Sequence, residues 1–396
     1  MLLSEETLLP LGLILLVGLV MPDVLRRFQF PLASVLLVLG SIFGPHGLEY
    51  VQEDNTISFI GSLGAAFLML LAGMESRYTG MLRYRGPMIR LLLINGLLPG
   101  LLGLGIARLY GYDWAASTLT GLLFLSSSIV MVYAQVPSNS PYRVDRYLHG
   151  LVAYADLLAL LGLAVLLHVL DTSARFPVWV YLGLLASSIF LLRLFLPEVV
   201  RFFFLRYEKN NIEEEEVLER KVQLILALLM LSLVMYTAMG VEAVVAAFLV
   251  GFSLSSLDEA NMLQRRLRTI GYSLFVPVFF FIVGMQMDAS LLIRLTGGIG
   301  FIPVFVVSAL LAKLITGYVG GRLEKLPSRD AWRLGGGSMI RLVTTLSVAF
   351  TARLSNLIDT RMLTAVVLLT ILSALAGPLI LSWLSPKQKK AADGTP

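Results

Sequence analysis

Leu151-Val-Ala-Tyr-Ala-Asp-Leu-Leu-Ala-Leu-Leu-Gly-Leu-Ala-Val-Leu-Leu-His-Val-Leu170 is an apolar run of 20 residues with one acid inside it, Asp156. As a helix, a run of this length covers the ~30 Å of a bilayer's hydrocarbon. A carboxylate at the centre of such a helix costs about 2.5–3.5 kcal/mol on insertion scales, so it demands a partner or a task. The composition around it supports the membrane reading. The chain has 396 residues, 57% apolar and 14% charged, with a mean hydropathy of +0.82. Soluble domains sit near ~45–50% apolar and ~25% charged. A compact soluble fold cannot hide this much apolar surface, so a soluble enzyme is excluded and no catalytic residue is assigned. There is no cysteine, which removes disulfides, thiolate metal sites and thiol catalysis. His46, His149 and His168 form no ligand spacing, and no Walker A motif occurs. No cofactor and no nucleic-acid partner are expected; the partner is the lipid bilayer. Glu5 and Glu6 at the N-terminus argue against a cleavable signal.

Other long stretches lack Asp, Glu, Lys and Arg: Phe28–Leu48, Asn55–Met74, Trp114–Tyr142, Val222–Val241, Thr269–Met287, Leu295–Ala312 and Met362–Pro386. With the less clean segments, the hydropathy predicts thirteen helices. They fall at 7–25, 31–45, 56–76, 86–110, 114–135, 145–170, 177–204, 218–238, 241–257, 268–287, 297–322, 331–355 and 361–384. With the N-terminus outside and the C-terminus cytoplasmic, 23 of the 31 basic residues fall on the inner side and five on the outer. That asymmetry is what the positive-inside rule requires, and an error of one helix would scramble it. Trp114, Trp179, Trp332 and Trp383 all fall at helix ends, as interfacial anchors do.

A shift of about 213 residues lays helices 1–6 on helices 8–13, with helix 7 as connector. The partners are an odd number of spans apart and so run in opposite directions. The fold class expected is an all-α polytopic membrane protein with two inverted six-helix repeats, an architecture of secondary transporters. Helices 5 and 12 are repeat partners, and both weaken in the middle. One carries Ser126, Ser127 and Ser128; the other carries Gly335-Gly-Gly-Ser-Met-Ile-Arg-Leu-Val-Thr-Thr345. Discontinuous helices expose carbonyls and half-helix ends that bind ions at the midplane. Hydroxyls in membrane helices often only bond back to the preceding turn. The matched placement of Ser126–Ser128 and Thr344–Thr345 favours a site.

Two cations accompany Asp156, Lys313 in helix 11 and Arg341 in the middle of helix 12. Lys313 lies too far from the interface to snorkel and is expected to pair with Asp156 when no cation is bound. Arg193 lies nearer an interface and is expected to snorkel. Glu213–Glu216 reads as a solvated helix start more readily than as a cation sensor.

These motifs resemble the monovalent cation:proton antiporter family, which includes bacterial sodium/proton antiporters and potassium-efflux antiporters. Leu274-Phe-Val-Pro-Val-Phe-Phe-Phe-Ile-Val-Gly-Met-Gln-Met-Asp288 resembles the family's P-V-F-F-x-x-x-G-M segment. Leu71-Ala-Gly-Met-Glu75 is similar to its L-x-G-L-E, and Gly44-Pro45 to its G-P after helix 2. Ser126–Ser128 precedes Asp156 by about the family's distance, and Arg341 stands where the family has the Arg of P-R-G-E. The chain departs from the pattern at Ala155, where a polar residue usually precedes the Asp, and at Ile340-Arg-Leu-Val343. The soluble nucleotide-binding domain of some efflux members is not expected.

The resemblance implies a homodimer in the bacterial inner membrane. It implies scaffold helices at 7–76 and 218–287, transport-core helices at 86–170 and 297–384, and a connector at 177–204. The expected function is exchange of Na⁺ or K⁺ for H⁺ by alternating access. Asp156, Ser126, Ser127, Ser128, Thr344 and Thr345 form the ion and proton site, and Lys313 and Arg341 are its charge partners. A channel-like efflux path, an organic-anion symporter of similar fold and a non-transporting membrane sensor are the alternatives.

Overall fold

The computed structural model describes residues 5–25, 31–52, 55–76, 85–137, 140–171, 176–208, 214–257, 260–293 and 300–384. They form thirteen helical rods, and no strand occurs among the described residues. The first three are α1 (Glu5–Leu25), α2 (Leu32–Phe43) and α3 (Asn55–Glu75). Next come α4, from Arg85 to Leu109 with a π-helical turn at Leu93–Leu97, and α5, split into α5a (Trp114–Leu125) and α5b (Ile129–Gln135). α6 (Arg143–Leu170), α7 (Val178–Glu208), α8 (Glu214–Ala238) and α9 (Ala243–Leu254) follow. α10 runs from Ala260 to Met285 with a π-helical turn at Gly271–Phe275. The last are α11 (Phe301–Leu323), the split α12a (Ser328–Ser338) and α12b (Val343–Leu354), and α13 (Thr360–Trp383).

Among the described residues, nine rods are long and apolar enough to cross a membrane: α3 to α8, α10, α11 and α13. α2 and α9 are apolar but short, as is the Pro10–Met21 stretch of α1. The break divides α12 into two halves too short to qualify alone. α7 is exposed along most of its length, with Trp179, Phe190, Phe195 and Phe202 on the outside. Such a face is stable only against lipid or another apolar surface.

The expected helix positions hold to within a few residues except at polar ends. α10 opens at Ala260, not 268, and α8 opens at Glu214, not 218. Hydropathy marks only the apolar part of a helix, whereas backbone hydrogen bonding carries the coil on through charged residues. Glu213 lies outside the described residues. Glu216 makes an i,i+4 ion pair of 2.7 Å with Arg220, both side chains exposed, as a solvated helix start does. Arg26, Arg27, Arg77, Arg83, Arg175, Lys209, Arg294, Lys387, Lys389 and Lys390, used in the charge count, also lie outside the described residues.

Close packing comes from small residues. At Gly73 and Gly251 α3 meets α9, and at Gly40 and Gly284 α2 meets α10. A methyl at any of the four would collide with a backbone carbonyl opposite. In lipid such contacts supply the van der Waals attraction that holds helices together. α4 packs on α5a, and α11 on α12a. α3 touches both α5b and α12b, and Phe279 of α10 meets Phe350 of α12b edge-on at 5.7 Å. Asp113 caps α5a through the Ala116 N–H (2.9 Å), and Asp359 caps α13 through the Met362 N–H (2.8 Å).

Candidate functional site

The site is built on the break in α5. The chain leaves the helix at Ser126, whose backbone is extended, and re-enters it after Ser128. A break in mid-helix strands the last carbonyls of one half and the first N–H groups of the other. All four final carbonyls of α5a are satisfied. Leu122 O accepts the Ser126 N–H (3.0 Å). Leu123 O accepts from the Ser126 hydroxyl (3.0 Å) and from the Arg341 guanidinium. Phe124 O accepts from Arg341 at 2.8 Å, and Leu125 O from the Lys313 ammonium at 2.7 Å. Two cations therefore cap the negative end of one half-helix, where the macrodipole favours them.

Asp156 serves the opposite end. Its carboxylate accepts from the Ser127 N–H at 3.0 Å and the Ile129 N–H at 3.2 Å, at the positive end of α5b. Asp156 is fully buried, as are Lys313 and Arg341. The direct pair expected between Lys313 and Asp156 is absent: no ion pair within 4 Å joins Asp156 to either cation among the described residues. The ammonium instead holds Leu125 O and, at 3.2 Å, the Ser127 hydroxyl. The stranded carbonyls explain this, since leaving one unbonded costs about 1–3 kcal/mol and nothing else reaches them.

The hydroxyls expected at the site divide by role. Ser126 bonds Thr345 across the two breaks at 2.8 Å. Ser127 donates to Ser338 O at 2.8 Å, tying the α5 break to the end of α12a. Thr344 faces Asp156, but its hydroxyl makes no well-formed hydrogen bond. The Ser128 and Ser347 hydroxyls, both fully buried, have no partner among the described residues.

The sequence reading missed several parts. The Ser127 and Ile129 N–H groups and the Ser338 carbonyl are backbone and leave no mark in composition. Ser373 of α13 accepts the Arg341 N–H (3.1 Å) and donates to the Arg341 carbonyl (3.2 Å), fixing the second break. Buried Asn95, in the π-helical turn of α4, donates to Lys313 O (2.8 Å) and to the Thr316 hydroxyl (3.0 Å). An Asn within an apolar span was the available signal. Away from the breaks, Arg333 and Asp145 form a buried pair of 2.9 Å joining α12a to α6.

The sodium/hydrogen exchanger transmembrane family matches residues 12–387, nearly the whole chain. The protein belongs to the sodium/hydrogen exchanger family. A probable Na⁺/H⁺ antiporter 3 of Methanocaldococcus jannaschii is 24% identical to this exchanger over 93% of the chain and 94% of its own. The Na⁺/H⁺ antiporter of Enterococcus hirae is 26% identical over 95% and 97%. The Na⁺/H⁺-K⁺ antiporter GerN of Bacillus cereus is 23% identical over 98% of both chains. Among solved structures, the sodium proton antiporter MjNhaP1 of Methanocaldococcus jannaschii at pH 8 superposes with a TM-score of 0.69. It is 19% identical and covers 96% of this chain and 97% of its own. This likeness establishes the fold. The exchanger is accordingly an integral membrane transporter that moves cations and protons.

Proposed function

We propose that this exchanger trades one monovalent cation, Na⁺ or K⁺, for one proton at a single carboxylate, Asp156, by alternating access. One observation carries the reading. Asp156 is fully buried and has backbone N–H donors, yet both nearby cations are committed to carbonyls of α5a. Its countercharge is thus left to a mobile ion or a proton. The Ser128 and Thr344 hydroxyls, buried beside it without well-formed bonds, are oxygens that suit a small hard cation. Occupied by either ion, the site is close to neutral and crosses an apolar seam. Empty, it is a buried charge that does not.

Ala155 supplies no second carboxylate, and Lys313 has a carbonyl and a hydroxyl as fixed acceptors. Lys313 then stays protonated through the cycle, and the exchange moves no net charge. Helices α4–α6 and α11–α13 act as the moving core, with all thirteen rods crossing as two inverted repeats. Helices α1–α3 and α8–α10 are the scaffold of a homodimer in the inner membrane, N-terminus outside and C-terminus cytoplasmic. The glycine contacts of α3 with α9 and of α2 with α10 support a scaffold packed as one body.

Purified protein in liposomes with a lumenal pH dye, given Na⁺, K⁺ and Li⁺ in turn, tests the reading. Wild type should dissipate a proton gradient with at least one ion. Asp156→Asn should fold and lose exchange by more than about 100-fold, because an amide cannot cycle a proton. Near-normal exchange by that variant would overturn the proposal.

A further inference from the structure

α12b begins at the second break and carries Thr344, Ser347 and Thr351, then Leu354. Spacings of three, seven and ten residues put all four on one face of the helix. Thr344 faces Asp156. The Ser347 hydroxyl is fully buried with no partner among the described residues. Leu354 lines a polar vestibule of about 330 Å³ at the far end of the helix, with His46, Gln286, Arg353 and Asn356. The Arg353 guanidinium is engaged by Ile358 O (3.3 Å) and the Thr360 hydroxyl (3.4 Å). From Thr344 to Leu354 the helix rises about 15 Å, half the hydrocarbon thickness. The stripe therefore spans the distance from the buried carboxylate to one end of the molecule. An unbonded hydroxyl inside a packed seam is costly, and here it lies midway between a carboxylate and a water-sized space.

We propose that Thr344, Ser347 and Thr351 form the path by which the cation travels between the vestibule and Asp156, with the Ser347 hydroxyl ligating it in transit. This rests on the reading of Asp156 as the cation site. The Phe279–Phe350 contact closes the same stripe where α10 meets α12b, and it separates when the path opens. Without a ligand in transit the cation would cross two helical turns of apolar seam bare. The hydroxyl oxygen takes over part of its hydration shell.

The chain has no cysteine, so single thiols can be placed without further change. Ser347→Cys, Thr351→Cys and Thr370→Cys are reconstituted in liposomes and treated with a membrane-impermeant methanethiosulfonate. Thr370 is equally buried, but its hydroxyl is bonded to Val366 O in α13 (2.8 Å), away from the stripe. The first two variants should react at least 10-fold faster than the third. Saturating Na⁺ or K⁺, whichever drives proton flux, should slow Ser347→Cys several-fold, and Phe350→Ala should speed it. Labelling at the Thr370→Cys rate, or fast labelling that neither cation slows, overturns the path. Should Ser347→Cys fail to fold, Ser347→Ala decides: the cation KM rises at least threefold at unchanged maximal rate, and an unchanged KM overturns it. The reading of Asp156 fails separately, if Asp156→Asn still exchanges, whatever the thiols report.

Discussion

The two helix breaks sit face to face and are bonded to each other, yet one is charged and the other neutral. At the α5 break the stranded carbonyls meet Arg341 and Lys313, and the stranded N–H groups meet Asp156. At the α12 break Ser338 O meets only the Ser127 hydroxyl, and Gly335 O meets the Met339 N–H and the Ser338 hydroxyl of its own chain. No side-chain charge is bonded to the second break among the described residues. The positions 213 residues from Asp156 and Lys313 are Leu369 and Gly100, so the ionisable groups were never duplicated. Both cations come from the second half of the chain and serve the break in the first. Repeated halves thus share a backbone device, while the charge that makes one of them a site was placed once.

Removing the cation that spans both breaks should have the largest effect. Arg341→Ala leaves Leu123 O and Phe124 O short of a donor inside the protein, and breaking a buried charged contact costs about 3–5 kcal/mol. Thermal unfolding in detergent should show a fall of that order, with Arg341→Lys intermediate because an ammonium cannot fork to two carbonyls. If the fall is no greater than for a surface substitution, the charged break is not what holds α5a.

Lys313→Met should cost less, about 1–3 kcal/mol for one unsatisfied carbonyl. The variant should keep electroneutral exchange, because Asp156 retains its own N–H donors. A loss of coupling between cation and proton fluxes in solid-supported-membrane recordings would assign Lys313 to the transport chemistry and not to the cap. A finer probe is the Ser126–Thr345 bond, which links the two breaks through neutral groups alone. A double-mutant cycle of Ser126→Ala and Thr345→Val should return about 0.5–1.5 kcal/mol of coupling. A coupling of zero would mean that the breaks are aligned by packing only.

Glu242, at the opening of α9 and outside both breaks, gives the smallest effect and a control for pH. Burial pushes its carboxyl above the ordinary carboxylate range. The folded protein then binds more protons there than the unfolded chain, so its stability falls as pH rises through that window and stays low above it. Glu242→Gln should be more stable than wild type at pH 8 and no different at pH 4. An equal difference at both values would rule out titration of Glu242 as the cause.

The sequence made the fold legible because the bilayer imposes a length and a hydropathy on every crossing segment. It made Asp156 legible because a carboxylate in such a segment is expensive, and the weak centres of α5 and α12 showed as serine and glycine clusters. The role of Lys313 was not legible. Its pairing with Asp156 followed from charge alone, whereas the structure gives it Leu125 O. Which carbonyls are stranded depends on the residue at which the helix stops, and no side chain reports that. The same holds for Ser126, Ser127 and Ser128: three adjacent hydroxyls alike in sequence hold α12b, hold α12a and stand unbonded beside the carboxylate, respectively.

Composition and spacing by themselves determined a helical membrane transporter with one acid at its centre. Those properties come from transfer free energies, which add residue by residue along the chain. Tertiary structure alone decided which polar group faces which. In a medium without water every backbone group at a break must find a partner within hydrogen-bond reach, and that search runs across helices, not along them.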